Sequence, residues 1–313
     1  MFINRSRIAI LSASVVLVML TMACGRSQPT AAPPDSTSPL VFVAVPNQGS
    51  TSLRETFQPI LLMLQKETGR PVLFQTATNY QAVIDGLKEG KIQVANLGPF
   101  SYVIAKDNGV PITVAAAQVT ARGAPPGYRS YGITNSGSSI QSLGDFRGKK
   151  ICFVDRDSTS GYLYPIWGLS QVGIDPEKDI LADFVGAHDA SVLAVANGTC
   201  NAGFAYDTMV DRQLIERGQL APGAIRVVWK SPVIPGAPLV VSNMVPPELR
   251  TTLISSLQTK ATEEYLRAHG FCSSRCGITS GAAYGYVPVS DQLYDSVREV
   301  CRTTKAKACS SGG

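Results

Sequence analysis

The sequence predicts an α/β protein of two lobes with a ligand cleft between them. Three observations lead there. Apolar, strand-like runs alternate with segments of helical spacing along most of the chain, the pattern of α/β units built on largely parallel sheets. The stretch from residue 40 to residue 308 is longer than one typical domain. Two Pro/Gly-rich segments, 121–128 and 231–238, break the alternation and give the chain two places to cross between lobes.

The first unit opens with an apolar strand at 40–45. Leu53, Phe57, Ile60, Leu61 and Leu64 fall at helical spacing and predict a helix over 52–68 that ends near Gly69. A strand at 71–75 follows. Tyr80, Val83, Ile84 and Leu87 share one face of a helix over 79–89, which stops at Gly90. A strand at 92–97, a short helix at 99–106 and a strand at 112–117 come next. The second unit reads as strands at 130–134, 150–154, 182–185 and 202–206. Its helices follow Ser160 and span 190–196, and an apolar run at 227–230 leads into the second crossing. Helices at 247–259, 262–268 and 290–303 complete the chain. The lobes are therefore expected at 40–127 and 128–234, with 235–313 returning to the first.

The N-terminus carries Arg5 and Arg7, an apolar run over 8–22, then Ala23 and Cys24. This is the layout of a secretory signal, and the run is too short for a membrane span. Cys24 after Ala23 resembles a bacterial lipobox, although Leu20 sits one place too early; an ordinary cleaved signal is the alternative. The lipoprotein reading makes 1–23 a signal peptide and Cys24 an acylated anchor on the outer face of a membrane. Residues 24–39, rich in Pro, Ser, Thr and Ala, then form a flexible tether.

The chain holds 28 basic and 23 acidic residues, a net charge of +5. Without Arg5 and Arg7 the balance is 26 against 23, or +3, with no Lys/Arg block, which argues against a nucleic-acid partner. Seven cysteines leave six once Cys24 is set aside, and an even number in an exported chain points to disulfides. Cys152 is expected to pair with Cys200, since both lie beside apolar strands of one lobe. Cys272, Cys276, Cys301 and Cys309 would staple the C-terminal region. Their spacing is not that of a zinc site, and His188 and His269 lie outside any compact ligand motif.

The most informative stretch is Asp157-Ser158-Thr159-Ser160-Gly161, between a strand and a helix. Three hydroxyls beside the free N–H groups of a first helical turn suit a small oxyanion, and the helix dipole adds positive potential there. The same residues would serve equally as an ordinary N-cap.

Several ordered segments together resemble one family. They are Ala77-Thr78-Asn79-Tyr80, Gly98-Pro99-Phe100-Ser101-Tyr102, residues 157–165, Gly186-Ala187-His188, residues 193–198, residues 229–236, and Tyr286-Val287-Pro288 with Asp291 and Tyr294. The chain is similar in these to the phosphate, phosphite and phosphonate-binding proteins of ABC importers, which are type II periplasmic binding proteins. The resemblance implies a two-lobed fold with two hinge crossings. It implies a pocket in which Ser158, Thr159 and Ser160 donate to the anion, His188 touches the same head group and Tyr80 reaches across from the first lobe. Ser101 or Tyr102 would help from the turn that starts the helix at 99, and Asp207 sits beside the place of an acidic site in the family. It further implies an ABC permease and ATPase as partners, an extracytoplasmic location, a monomer, and neither metal nor cofactor.

Where the chain departs from the family, the ligand narrows. Members that hold an aminoalkyl phosphonate place carboxylates against the ammonium, whereas Ala237 and Thr208 stand at the corresponding positions here. The expected ligand therefore lacks an ammonium: phosphate, phosphite or a small alkylphosphonate. Leu97 stands where an aromatic hydroxyl often occurs and offers an apolar wall. Other readings within the fold are a sulfonate, an arsenic oxyanion or a sensing role. A phosphoester hydrolase built on Ser158, Asp155 and His188 is the enzymatic alternative. The sequence has no Gly-x-Ser-x-Gly elbow to favour it.

Overall fold

The computed structural model describes residues 38–273, 276, 278 and 284–309. The expected signal peptide, Cys24 and nearly all of the tether lie outside them. The described chain contains two main sheets. The first has strand order β13-β4-β12-β3-β1-β2, and the second β10-β6-β9-β7-β8. In the first sheet, β1 (Leu40–Ala44), β2 (Val72–Thr76) and β3 (Val94–Asn96) are linked by helices α1 (Ser50–Thr68) and α2 (Tyr80–Lys88). Helix α3 (Pro99–Asp107) leads on to β4 (Ile112–Val119). In the second sheet, β6 (Ser130–Asn135), β7 (Lys150–Phe153), β8 (Leu181–Phe184), β9 (Ala202–Tyr206) and β10 (Ile225–Lys230) carry α4 (Tyr164–Gln171), α5 (His188–Ala196) and the short α6 (Leu214–Glu216).

The two crossings lie side by side. The two-residue strand β5 (Gly127–Tyr128) pairs antiparallel with β11 (Ile234–Pro235), so the links between the sheets form one small ribbon. The chain then re-enters the first sheet as β12 (Pro238–Ser242), between β3 and β4 and antiparallel to both. Its five residues are all buried, and Pro238 stands first in the strand, where a missing N–H costs no ladder bond. Helices α7 (Pro247–Thr259) and α8 (Glu263–Ala268), strand β13 (Gly285–Pro288) and helix α9 (Asp295–Thr304) complete the described chain.

The sheets are mixed, and this corrects the expectation of largely parallel ones. Strand β1 is parallel to β2 and β3, and β7 to β8 and β9. The strands nearest the crossings, β12 in one sheet and β6 in the other, run antiparallel to their neighbours. Helix–strand alternation reports right-handed βαβ crossovers. It says nothing of a strand that arrives from the other lobe, and the Pro-rich approach to β12 hid that strand in the sequence.

Most helix boundaries follow the spacing of apolar residues. Helix α1 buries Leu53, Phe57, Ile60, Leu61 and Leu64 and ends at Gly69, whose φ of 67° is the left-handed region glycine tolerates. The final helix is preceded by a 3-10 turn at Asp291–Tyr294. Helix α9 packs on both α3 and α4, one from each side of the crossings. Tyr294 lies 4.7 Å from the Tyr102 ring and donates to the Gly236 carbonyl at the second crossing. Cys152 is joined to Cys200, Cys272 to Cys276 and Cys301 to Cys309. The first bond ties β7 to the turn before β9 across 48 residues, worth about 4 kcal/mol by chain entropy alone.

Candidate functional site

At the carboxyl ends of β1, β3, β7 and β9 the two sheets face a common cavity of about 70 Å³. At about 10–15 Å³ per water, that is room for roughly five to seven water-sized groups. One small tetrahedral anion fits this space. The carboxyl ends of strands are where open α/β folds place ligands.

The hydroxyl run builds one wall. After β7 the chain turns at residues 155–158 and enters a wide helical turn over Thr159–Leu163 that continues into α4. Ser158 caps that turn, accepting from the Gly161 N–H at 3.1 Å, and it also lines the cavity. The N-cap role and the cavity-facing position therefore belong to the same residue. Gly161 is required here for space. A Cβ on it would lie 2.4 Å from the Val154 Cβ and 2.8 Å from the Ser158 Oγ. Thr159 and Ser160 are as buried as Ser158 and line the cavity beside it.

His188 begins α5 and is fully enclosed. Burial lowers its pKa to about 3, so the ring is neutral. The Tyr206 N–H donates to Nδ1 at 3.3 Å, which makes Nδ1 the acceptor and leaves the proton on Nε2. Nε2 stands 3.4 Å from the Ser158 Oγ, on the cavity side. Its N–H is thus held as a donor toward the cavity. Tyr80, the first residue of α2, comes from the opposite lobe. Burial holds its phenol well above the usual range, and the Ser158 hydroxyl is its hydrogen-bond neighbour.

Three expected residues stand elsewhere. Ser101 lies in the first turn of α3 but donates to the Asp157 carbonyl at 3.0 Å instead of lining the cavity. Tyr102, one position on, points to the other side of the helix. Its hydroxyl donates to Asp291 at 2.7 Å and its ring packs on Tyr294. Asp207 accepts from the Arg129 and Thr208 N–H groups, tying the end of β9 to the first crossing. Its neighbours Tyr206 and Thr208 face the cavity instead. The sequence reading passed over Asn47, Asn96, Gln118, Tyr128 and Gln213, which also line it. The signal available for Asn47 and Asn96 is position: each lies at or just past the carboxyl end of a strand. Tyr128 sits on the crossing ribbon, with Ser160 and Thr159 as hydrogen-bond neighbours and a pKa raised by burial. Asn47 brings a buried side-chain oxygen that has no partner.

Among the described residues, no carboxylate, lysine or arginine lines the cavity, and the histidine that does is neutral. The potential for an anion comes from dipoles: the hydroxyls, the His188 N–H, and the N-termini of α2, α3 and α5, which all open on this space. Apolar lining is supplied by Val45, Leu53, Phe57, Leu97 and Ala237.

This fold and this cleft define an extracytoplasmic solute-binding protein of the type II periplasmic class. Residues 42–292 match the model of the periplasmic substrate-binding proteins of phosphonate ABC transporters, and the chain belongs to that family. It is 39% identical over 320 aligned residues to the phosphate-import protein PhnD of Mycolicibacterium smegmatis, with 97% of this chain and 98% of that protein covered. The binding component of a phosphonate ABC transporter from Pseudomonas aeruginosa superposes with a TM-score of 0.76 at 24% identity, covering 88% of this chain and 89% of that one. PhnD1 of Prochlorococcus marinus, solved with methylphosphonate, gives 0.72 at 19%, covering 86% and 98%.

Proposed function

We propose that the cleft captures a small phosphorus oxyanion without an ammonium group, with inorganic phosphate as the leading ligand, and presents it to an ABC permease. The observation that carries this is the character of the cavity lining. It offers neutral donors from Ser158, Thr159, Ser160, His188, Tyr80 and Tyr128 and, among the described residues, no carboxylate. An ammonium in this space would find no counter-charge, and burying it unpaired is costly. A compact anion finds charge-assisted hydrogen bonds, each worth about 1.5–3 kcal/mol. The name of the mycolicibacterial relative, a phosphate importer, points the same way.

In this reading the protein is a receptor and not an enzyme. His188 is oriented by a backbone N–H that makes Nδ1 an acceptor, so Nε2 holds a proton toward Ser158 instead of removing one. The chain from Cys24 would be lipid-anchored, with 24–39 as the tether, 40–127 and 235–313 forming the first lobe and 128–234 the second. The permease and its ATPase are the partners. Isothermal titration with phosphate, phosphite, methylphosphonate and 2-aminoethylphosphonate tests the ligand class. Binding of one of the first three is expected. Tightest binding of the aminoalkyl compound would overturn the assignment.

A further inference from the structure

We propose that Thr159 is a positioning residue that couples capture of the anion to closure of the two lobes. The inference rests on the oxyanion reading of the cleft. It starts from an incomplete helix end. Helix α3 has Gly98 at its N-cap and no side-chain cap of its own, and Pro99 brings no N–H. The first free donor of the helix is therefore the Phe100 N–H. Its partner is the Thr159 Oγ1 at 2.8 Å, from the other lobe, in a buried contact. Gly98 eases the approach, since a Cβ there would lie 3.2 Å from the same oxygen and press on it.

A hydroxyl has two lone pairs and one proton. One lone pair of Thr159 is taken by Phe100, and its residue lines the cavity beside Tyr128. The proton is thus available to an oxyanion, directly or through the Tyr128 hydroxyl. Donation to an anion polarises the oxygen and makes it a better acceptor for the helix N–H, because linked hydrogen bonds strengthen one another. Occupancy on one side then strengthens the interlobe contact on the other. A second seam lacks this link through a hydroxyl. It joins the His188 N–H to the Asn47 carbonyl at 3.0 Å, the Gly49 N–H to Asp189 at 2.9 Å and Arg217 to Gln48 at 2.7 Å.

The test is amide hydrogen exchange at Phe100 in the purified protein and in Thr159→Ser and Thr159→Val variants, with and without inorganic phosphate at calorimetric saturation. Without ligand, Phe100 should exchange at least about threefold faster in Thr159→Val than in wild type; equal rates overturn the proposal whatever the ligand is. With phosphate, exchange should slow about tenfold or more in wild type and Thr159→Ser but not in the saturated valine variant. Equal slowing in the valine variant would overturn the coupling. Should the valine variant fail to fold, Gly98→Ala takes its place and is expected to lose the same protection. Absence of phosphate binding to the wild type would instead overturn the phosphate reading, and the ligand-free comparison would still decide the Thr159–Phe100 link.

Discussion

The two walls of the cleft differ in kind. Every cavity-lining residue from the second lobe, from Tyr128 through Ser158, Thr159, Ser160, His188, Tyr206 and Thr208 to Gln213, carries a hydrogen-bonding side chain. The first lobe mixes Asn47, Tyr80, Asn96 and Gln118 with Val45, Leu53, Phe57 and Leu97. One wall is built to receive charge and the other to fit around it and shut out water. The difference also shows in how the walls are held. The second-lobe wall is braced from behind: Ser160 accepts from the Ser130 Oγ through its carbonyl, Ser158 caps its own turn, and His188 is fixed by the Tyr206 N–H. Donors fixed before the ligand arrives lose little entropy on binding.

The comparison breaks most severely if the charged end is stripped. In a variant carrying Ser158→Ala, Thr159→Ala and Ser160→Ala, phosphate affinity is expected to fall at least about a hundredfold, which is ~2.7 kcal/mol or more. Replacing Leu97 by alanine on the other wall is expected to cost less than about tenfold. Calorimetry on both gives the ratio, and equal losses would mean that the walls share the work. The next effect is mechanical. Gly161→Ala forces a Cβ to within 2.4 Å of Val154, an overpacking that costs about 1–3 kcal/mol and lowers Tm by several degrees. The displaced turn carries Ser158 with it, so affinity should fall in parallel.

These residues also show how far the sequence could be read. The hydroxyl run, His188 and Tyr80 were legible because type and place agreed: donors at a strand-to-helix turn, a lone His at a helix start, a Tyr after a capping Asn79. Ser101, Tyr102 and Asp207 were not. Asp207 stands between two cavity-lining residues, and Ser101 and Tyr102 follow the lining Gly98 by three and four positions; which side of a helix or strand end faces the cleft depends on a few tens of degrees of rotation set by distant packing. Tyr102 is turned away by Asp291 and Tyr294, nearly 190 residues along the chain. The antiparallel entry of β12 was hidden for a similar reason. A parallel and an antiparallel strand buried on both faces carry the same apolar run.

A pH titration sharpens the contrast at His188. Its folded pKa of about 3 lies below the unfolded value of about 6.5. The unfolded chain therefore binds the extra proton first as pH falls. Stability attributable to His188 is complete above pH 6.5 and declines steadily between 6.5 and about 3. A His188→Gln variant should show a flatter stability profile through that window, read from denaturant midpoints. Phosphate affinity at pH 7 should drop about tenfold in the same variant, because the Nε2 donor is lost. An unchanged profile would mean that the ring titrates alike in the folded and the unfolded chain.

The smallest expected effect has the opposite sign and lies at the rim. Asp157 precedes the hydroxyl run, and its pKa is raised to about 6, first by burial, then by the charges of Asp155 beside it and Asp85 on α2 across the cleft. A raised carboxyl pKa means the folded state holds the proton longer. Stability is therefore lost as pH rises from about 3.8 to about 6, and the cost is fully present at neutral pH. Asp157→Asn keeps the backbone carbonyl that receives Ser101 and removes only the charge. At pH 7 it should stabilise the protein by about 1 kcal/mol after allowing for screening, or a few degrees in Tm, and below pH 4 it should change nothing. Because Asp85 and Asp157 sit on opposite lobes, part of that gain should be specific to the closed arrangement. It would then appear as tighter phosphate binding at pH 7 that fades at pH 5. No gain in affinity at pH 7 would assign the strain to burial within the second lobe alone.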